Sequence, residues 1–351
     1  MTALVQPTRS TALSGLCRVS SPQRTRFLSQ VHGHRLQAAG HRQIQGFISA
    51  RNGMAHYAAI RGHRDEPAGT LSAIDRLIKK NSARASSSRP PPMVSQVIVV
   101  AGVGNGSGTG AAVARLFAQE GYTVALVSRG EGALKALASS ITGAGGKAEA
   151  FPISEYSGDV MTAAFAAIQA RFPAPEYAIT VAVFNAAQGV WKPFLQVTPN
   201  DIRESNKVNI EASFAFSRAA ILAFQSNETL TSANGAKGTL IFTGATASLR
   251  GNVTTSVFAS GKFALRSLSQ SLAKEFGRED IHVAHAIIDG GIATGNTRGD
   301  RNTPPSGPVE NPKPAALLSP ESIATSYLYL VNQDRSSWTW ELDLRPAHEK
   351  W

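Results

Sequence analysis

The chain has 351 residues, a net charge of +11 and one cysteine. A single thiol excludes an internal disulfide and any Cys-x-x-Cys metal site, and no apolar run approaches the ~20 residues that cross a bilayer. With 42% hydrophobic residues the chain can bury a core, and 7% aromatics with 31 glycines suit a backbone-dense α/β fold better than a β-sandwich.

The charge is unevenly placed. Residues 1–92 carry 12 Arg and 2 Lys against Asp65, Glu66 and Asp75, which accounts for the whole excess of +11. Residues 93–351 hold 21 basic and 21 acidic residues. That neutral body has no general attraction for polyanions, so neither nucleic acid nor a membrane is an expected partner. Before Asp65 the chain has no acidic residue and is rich in Arg, Ser, Gln, His and Ala. It lacks the ~7–15-residue apolar stretch of a secretory signal, while an Arg-rich, acid-poor composition is that of a mitochondrial transit peptide. A disordered tail has the same composition. Both readings stay open, and with them mitochondrial or cytoplasmic residence. Ser86-Ser87-Ser88-Arg89-Pro90-Pro91-Pro92 reads as a linker. The chain therefore divides into a basic extension, 1–92, and one domain, 93–351.

From Met93 the pattern alternates. Gln96–Ala101 is a short apolar run, as in a buried parallel strand. A glycine cluster, a helix from Ala111 to Glu120 and a strand from Thr123 to Val127 follow. Helices are then expected near 131–143, 159–171, 201–225, 254–277 and 320–331. Strands are expected near 147–152, 178–184, 238–243, 281–288 and from Thr339 to Leu344. Strands alternating with helices of this length imply βαβ units: a doubly wound α/β fold, a parallel sheet with helices on both faces.

Gly102, Gly104, Gly106, Gly108 and Gly110 lie between the first strand and the first helix. There a doubly wound fold receives a pyrophosphate, because small residues let the backbone approach and the helix N-terminus offers free N–H groups. The spacing contains Gly-x-x-x-Gly-x-Gly twice and no Walker loop.

These residues resemble the short-chain dehydrogenase/reductase family over about 94–345. Gly104-Asn105-Gly106-Ser107-Gly108-Thr109-Gly110 matches its cofactor loop. Phe184-Asn185-Ala186-Ala187 sits where the family has Asn-Asn-Ala-Gly, and Asn209 fits the Asn of the long fourth helix. Phe258-Ala259-Ser260-Gly261-Lys262 fits Tyr-x-x-x-Lys with Phe in place of Tyr, and the serine position is Ala245. Asp289-Gly290 fits Pro-Gly, and Thr294 fits a Thr that meets the cofactor. The resemblance implies a Rossmann-type single domain, an NAD(P)-dependent oxidoreductase, a small-molecule substrate, no metal and a homo-oligomer. It places Lys262, Asn209, Phe258 and Ala245 at the catalytic positions. The cofactor would meet Gly104, Ser107, Gly108, Gly110, Ser128, Arg129, Asn185, Lys262, Gly290 and Thr294.

In the family the Tyr phenol protonates the substrate oxygen, Ser binds it, Lys lowers the Tyr pKa and holds the ribose, and Asn supports a water. Phe258 has no proton to give and Ala245 no hydroxyl. Losing a general acid costs ~10²–10⁴ in rate, and losing one oxyanion donor ~10²–10³. Two classes remain: an oxidoreductase with a rebuilt proton-delivery site, or a cofactor-binding scaffold or sensor without turnover. Among substitutes, Thr254, Thr255, Phe258 and Lys262 are expected on one helical face, Thr246 and Ser248 flank the serine position, and His285 is read as a satisfied strand residue.

The second strand ends in Ser128-Arg129. An acidic residue there would bind the ribose of NAD, whereas an Arg accommodates the 2′-phosphate of NADP, so NADP is expected over NAD. The polar stretch Thr294–Pro314 reads as a lid over the substrate. Trp191 and Phe194 are expected to wall the pocket opposite.

Overall fold

The computed structural model describes residues 94–227, 235–294 and 317–348, all within one unit, Ser86–Trp351. The extension 1–92, Met93 and the proposed lid beyond Thr294 lie outside the described residues.

Seven strands form one sheet: β1 (Ser95–Ala101), β2 (Thr123–Ser128), β3 (Lys147–Pro152), β4 (Tyr177–Phe184), β5 (Gly238–Thr243), β6 (Ile281–Ile288) and β7 (Glu341–Leu344). Their order is β3-β2-β1-β4-β5-β6-β7, and every pair is parallel. The helices are α1 (Thr109–Gln119), α2 (Glu131–Gly143), α3 (Gly158–Arg171), α4 (Pro199–Asn206), α5 (Ala212–Gln225), α6 (Ser256–Phe276) and α7 (Pro320–Asn332).

Side chains leave a strand on alternate faces, and β1 supplies both cores. Val97, Val99 and Ala101 join a cluster with Met161 and Phe165 of α3, Phe216 and Phe224 of α5 and Leu265 of α6. Ile98 and Val100 face the opposite cluster, with Phe117 of α1, Leu134 of α2 and Tyr327 and Leu330 of α7. Burial on both faces is why these strands read as continuous apolar runs. The chain order reverses at β1, which pairs with β2 on one side and β4 on the other. A crevice opens beyond the C-terminal ends of strands at such a switch point.

Four departures from the expected elements concern the site. The single helix over 201–225 is two helices joined by a π turn, Lys207–Glu211, which holds Asn209. The helix expected from 254 begins at Ser256: Thr254 has φ 66 and Thr255 is its N-cap, so neither threonine shares a helical face with Phe258. The first helix begins at Thr109, two residues early, so the glycine loop runs directly into it. The last strand begins at Glu341 rather than Thr339.

Candidate active site

Two adjoining cavities lie at the switch point. The first, about 330 Å³, is lined by Gly102, Gly104, Ser107, Gly108, Ser128, Arg129, Tyr156, Asn185 and Thr294 among others. The second, about 620 Å³, holds Ala245, Thr246, Arg250, Phe258, Lys262 and Gly290 in its wall. Gly108, Asn185, Ala187 and Thr294 belong to both, so the two form one continuous groove.

The loop that opens the first cavity depends on backbone contact. Gly102 has φ 95, and a Cβ there would lie 2.5 Å from the Ala186 nitrogen; a Cβ on Gly110 would lie 2.3 Å from the Gly102 oxygen. Asn185 closes the arrangement: Nδ2 donates to the Gly102 oxygen at 2.6 Å, and its N–H donates to the Ala101 oxygen at 2.9 Å. Gly110 and Asn185 thus shape the cleft from beneath. The residues fit a dinucleotide. The first turn of α1 carries no acidic side chain, and its N-cap, Gly108, makes no side-chain hydrogen bond, so the N–H groups there suit a phosphate. Thr109 Oγ1 is buried at the same helix end with no hydrogen-bond partner among the described residues. Arg129 lies over the Tyr156 ring, 5.3 Å from its centroid, and among the described residues the cleft wall contains no carboxylate.

In the second cavity Lys262 is 3% exposed, and Nζ donates to the Thr243 carbonyl oxygen at 2.7 Å. Burial lowers its pKa to about 8. Thr243 is itself tied down, its Oγ1 lying 2.8 Å from the buried Tyr327 hydroxyl. Phe258 occupies the cavity wall between Lys262 and Trp191, with the Phe258 and Trp191 ring centroids 5.1 Å apart. Trp191 is placed by its neighbour: Lys192 N–H donates to the Thr254 oxygen at 3.0 Å, and Lys192 Nζ pairs with Asp201 at 2.7 Å. Asp201 also closes the capping box of α4 with Thr198. The Lys192 hydrogen bond, then those from Thr198, hold the Asp201 carboxyl down to about 2. Trp191 lines the cavity as expected. Phe194 does not; it is 75% exposed on the 3₁₀ turn Phe194–Gln196.

Asn209 is buried outside both cavities. Its Oδ1 accepts from Gln188 N–H at 3.0 Å, and Nδ2 donates to the Gln188 oxygen and to Ser205 Oγ, each at 2.9 Å. The side chain therefore pins the loop after β4, with both amide protons engaged there, and lines neither cavity. Ser248 is likewise engaged, accepting from Ala245 N–H at 3.1 Å. His285 corrects the expectation of a satisfied strand residue: neither ring nitrogen has a hydrogen-bond partner among the described residues, and Glu341 lies 3.6 Å from Nδ1. Burial is the main force holding its pKa down, to about 4. A Cβ on Gly244 would lie 2.4 Å from His285 Nε2, so the imidazole lies against the Gly244 backbone and does not line the cavity.

Sequence reading missed one cluster. Thr246 Oγ1 donates to Asp289 Oδ1 in a short hydrogen bond, Arg345 Nη1 lies 2.5 Å from Asp289 Oδ2, and Arg250 Nη2 lies 3.8 Å from Oδ1. The Thr246 proton is committed to that carboxylate, so this hydroxyl offers the cavity lone pairs only. The one local signal was an acidic residue, Asp289, where the family has proline.

The family model for short chain dehydrogenase matches residues 96–304. The chain belongs to the short-chain dehydrogenase family. A curated relative, the 3-oxoacyl-[acyl-carrier-protein] reductase MabA of Mycobacterium tuberculosis, is 24% identical over 255 residues, 73% of this chain and 93% of the relative. The human (3R)-3-hydroxyacyl-CoA dehydrogenase is 28% identical over 239 residues, 66% and 87% of the two chains. Among solved structures, a short-chain dehydrogenase from Rhodopseudomonas palustris is 32% identical with a TM-score of 0.56, covering 72% of this chain and 98% of its own. As a short-chain dehydrogenase the protein is an NAD(P)-dependent oxidoreductase with a Rossmann fold. Among the described residues no helix is long and apolar enough to cross a membrane, and no cluster could hold a metal ion.

Proposed function

We propose that residues 93–351 form an NADP-dependent oxidoreductase that interconverts a carbonyl and a hydroxyl on a small substrate, with proton delivery rebuilt around Lys262. The observation that carries this reading is a groove with Arg129 at its dinucleotide end, Lys262 in its wider end and, among the described residues, no carboxylate in either wall. Bound NADPH would supply the hydride. Gly104, Ser107, Gly108, Ser128, Arg129 and Thr294 would hold the dinucleotide, with Arg129 on the 2′-phosphate. Lys262 Nζ has three protons and gives one to Thr243. With a pKa of about 8 it is mainly an ammonium at pH 7, and it faces the cavity where a reduced carbonyl oxygen would gain charge. The 3-oxoacyl reductase and 3-hydroxyacyl dehydrogenase relatives support the reaction type. Assembly as a homo-oligomer belongs to the same proposal.

A second reading has its own support. Phe258 is packed under Trp191, and Thr246 is committed to Asp289, which suits a scaffold or sensor that binds NADP without turnover. Titration of NADPH and NADH with carbonyl substrates separates the two. The proposal expects preferential NADPH binding, consumption of NADPH, and a tenfold or larger loss of NADPH affinity in Arg129→Ala, about 1.5 kcal/mol. Equal loss for NADH would remove the 2′-phosphate role, and binding without consumption across a broad panel would establish the second reading.

A further inference from the structure

We infer that the substrate carries an anionic oxygen group gripped by Arg250, on an apolar body seated against Trp191 and Phe258. The inference rests on the oxidoreductase reading above and adds its substrate class.

Among the described residues, the larger cavity has two charged residues in its wall, Arg250 and Lys262, both cations. Lys262 is drawn to the inner end, on the Thr243 oxygen. Arg250 stands at the outer edge, its side chain 55% exposed. Much of the remaining wall is apolar, with Ala187, Trp191, Ala245, Phe258, Ile288 and Ile292. Ala245 and Phe258 replace the two hydroxyls that would otherwise meet a substrate oxygen.

The hydroxyls around Arg250 and the Asn252 side-chain oxygen are already engaged. Thr255 Oγ1 accepts from Asn252 N–H at 2.8 Å and donates to the Asn252 oxygen at 2.9 Å. Asn252 Oδ1 accepts from Val253 N–H at 2.8 Å. Thr246 donates to Asp289. The Arg250 guanidinium, by contrast, donates to no acceptor among the described residues. Its approach to Asp289 is 3.8 Å, beyond hydrogen-bond length. Asp289 is 4% exposed and absent from the cavity wall; its Oδ1 accepts from Thr246, and its Oδ2 is ion-paired with Arg345 at 2.5 Å. Arg345 is shared with the more exposed Asp343 at 2.9 Å. Local charges nearly cancel behind the wall, and among the described residues Arg250 is the exposed cation of the cavity wall. A guanidinium fork matches a carboxylate in two parallel hydrogen bonds. Lys262 adds a positive potential that concentrates an anion in the same cavity.

The probe pair is 4-formylbenzoate and 4-formylbenzamide, alike in shape and differing in charge. Calorimetric titration of the full chain, with and without NADP, measures binding apart from turnover. The wild-type protein should bind the carboxylate about tenfold more tightly than the amide, because Arg250 is partly screened by solvent. Arg250→Gln should erase that preference, and Arg250→Lys should keep part of it. Equal affinity for the two probes, no binding of either at millimolar concentration, or a preference that survives Arg250→Gln overturns the inference. Failure of the oxidoreductase reading looks different: Arg250-dependent binding of 4-formylbenzoate without oxidation of NADPH.

Discussion

Lys262 lies one helical turn beyond Phe258, with Nζ 5.8 Å from the centre of that ring and 2.7 Å from the Thr243 carbonyl oxygen. A buried ammonium here has a ring face and a carbonyl dipole as partners in place of a carboxylate or a phenol. Both interactions favour the charged form, and burial outweighs them.

That balance makes stability depend on pH. The folded pKa of about 8 lies below the ordinary lysine value of 10.5. Between those values the unfolded chain binds the proton and the folded chain does not, so this group's contribution to stability rises with pH through the window. Below pH 8 the full burial cost is present, about 3 kcal/mol for a shift of this size. Lys262→Met removes that cost and forfeits one hydrogen bond of about 1 kcal/mol. At pH 7, without cofactor, the variant should melt roughly 4–8 °C higher, and the advantage should vanish by about pH 10. A difference in Tm independent of pH would show that burial of the charge is not its cause.

Restoring the two missing hydroxyls tests who delivers the proton. A wild-type enzyme that works through Lys262 should lose turnover in Lys262→Ala. It should change less than tenfold in the double variant Phe258→Tyr, Ala245→Ser. A wild-type protein near zero whose double variant gains ~10² or more, the scale of one general acid, would instead be a lapsed reductase. Steady-state NADPH oxidation with a fixed aldehyde reads both.

Asn209 should matter to stability before chemistry. Asn209→Ala removes the partners of Gln188 N–H, the Gln188 oxygen and Ser205 Oγ. Unsatisfied buried groups cost about 1–3 kcal/mol each, part of it recovered by water. A loss of about 3 kcal/mol is expected in chemical denaturation. Asn209→Asp would keep the bond to Gln188 N–H but set a buried carboxylate oxygen against the Gln188 carbonyl oxygen, and should cost at least as much as alanine. A rate loss with unchanged stability would place Asn209 in the chemistry instead.

Two glycines of the cofactor loop should separate fold from binding. In Gly110→Ala the new Cβ would meet the Gly102 oxygen at 2.3 Å, a backbone clash that cannot relax cheaply. Overpacking against backbone should cost about 3 kcal/mol or more. In Gly108→Ala the nearest atom is Thr294 Cγ2 at 3.6 Å, ordinary contact. That variant should melt like the wild type and bind NADP at least tenfold more weakly, because its methyl group narrows the dinucleotide cleft. Calorimetric melting and NADP titration of both variants check the pair.

The alternation of strands and helices was legible in the sequence, because backbone periodicity is written into neighbours a few residues apart. So was the glycine loop, and so was the four-residue step from Phe258 to Lys262, which became one turn of α6. Ser128-Arg129 could be placed because a strand end has a fixed address in a doubly wound sheet. The π turn around Asn209 was not legible. It sits inside an unbroken helical pattern, and what distinguishes it is the loop at Gln188 that Asn209 holds. The left-handed Thr254 was equally hidden, since its carbonyl is positioned to receive Lys192 from a distant segment. The Thr246–Asp289–Arg345 cluster and the nearby Arg250 come from the ends of β5, β6 and β7. Only the parallel order of those strands brings the three ends side by side. Local sequence sets which residues become helix or strand; the pairing of remote strands sets which side chains meet, and the donors and acceptors of this site meet across that pairing.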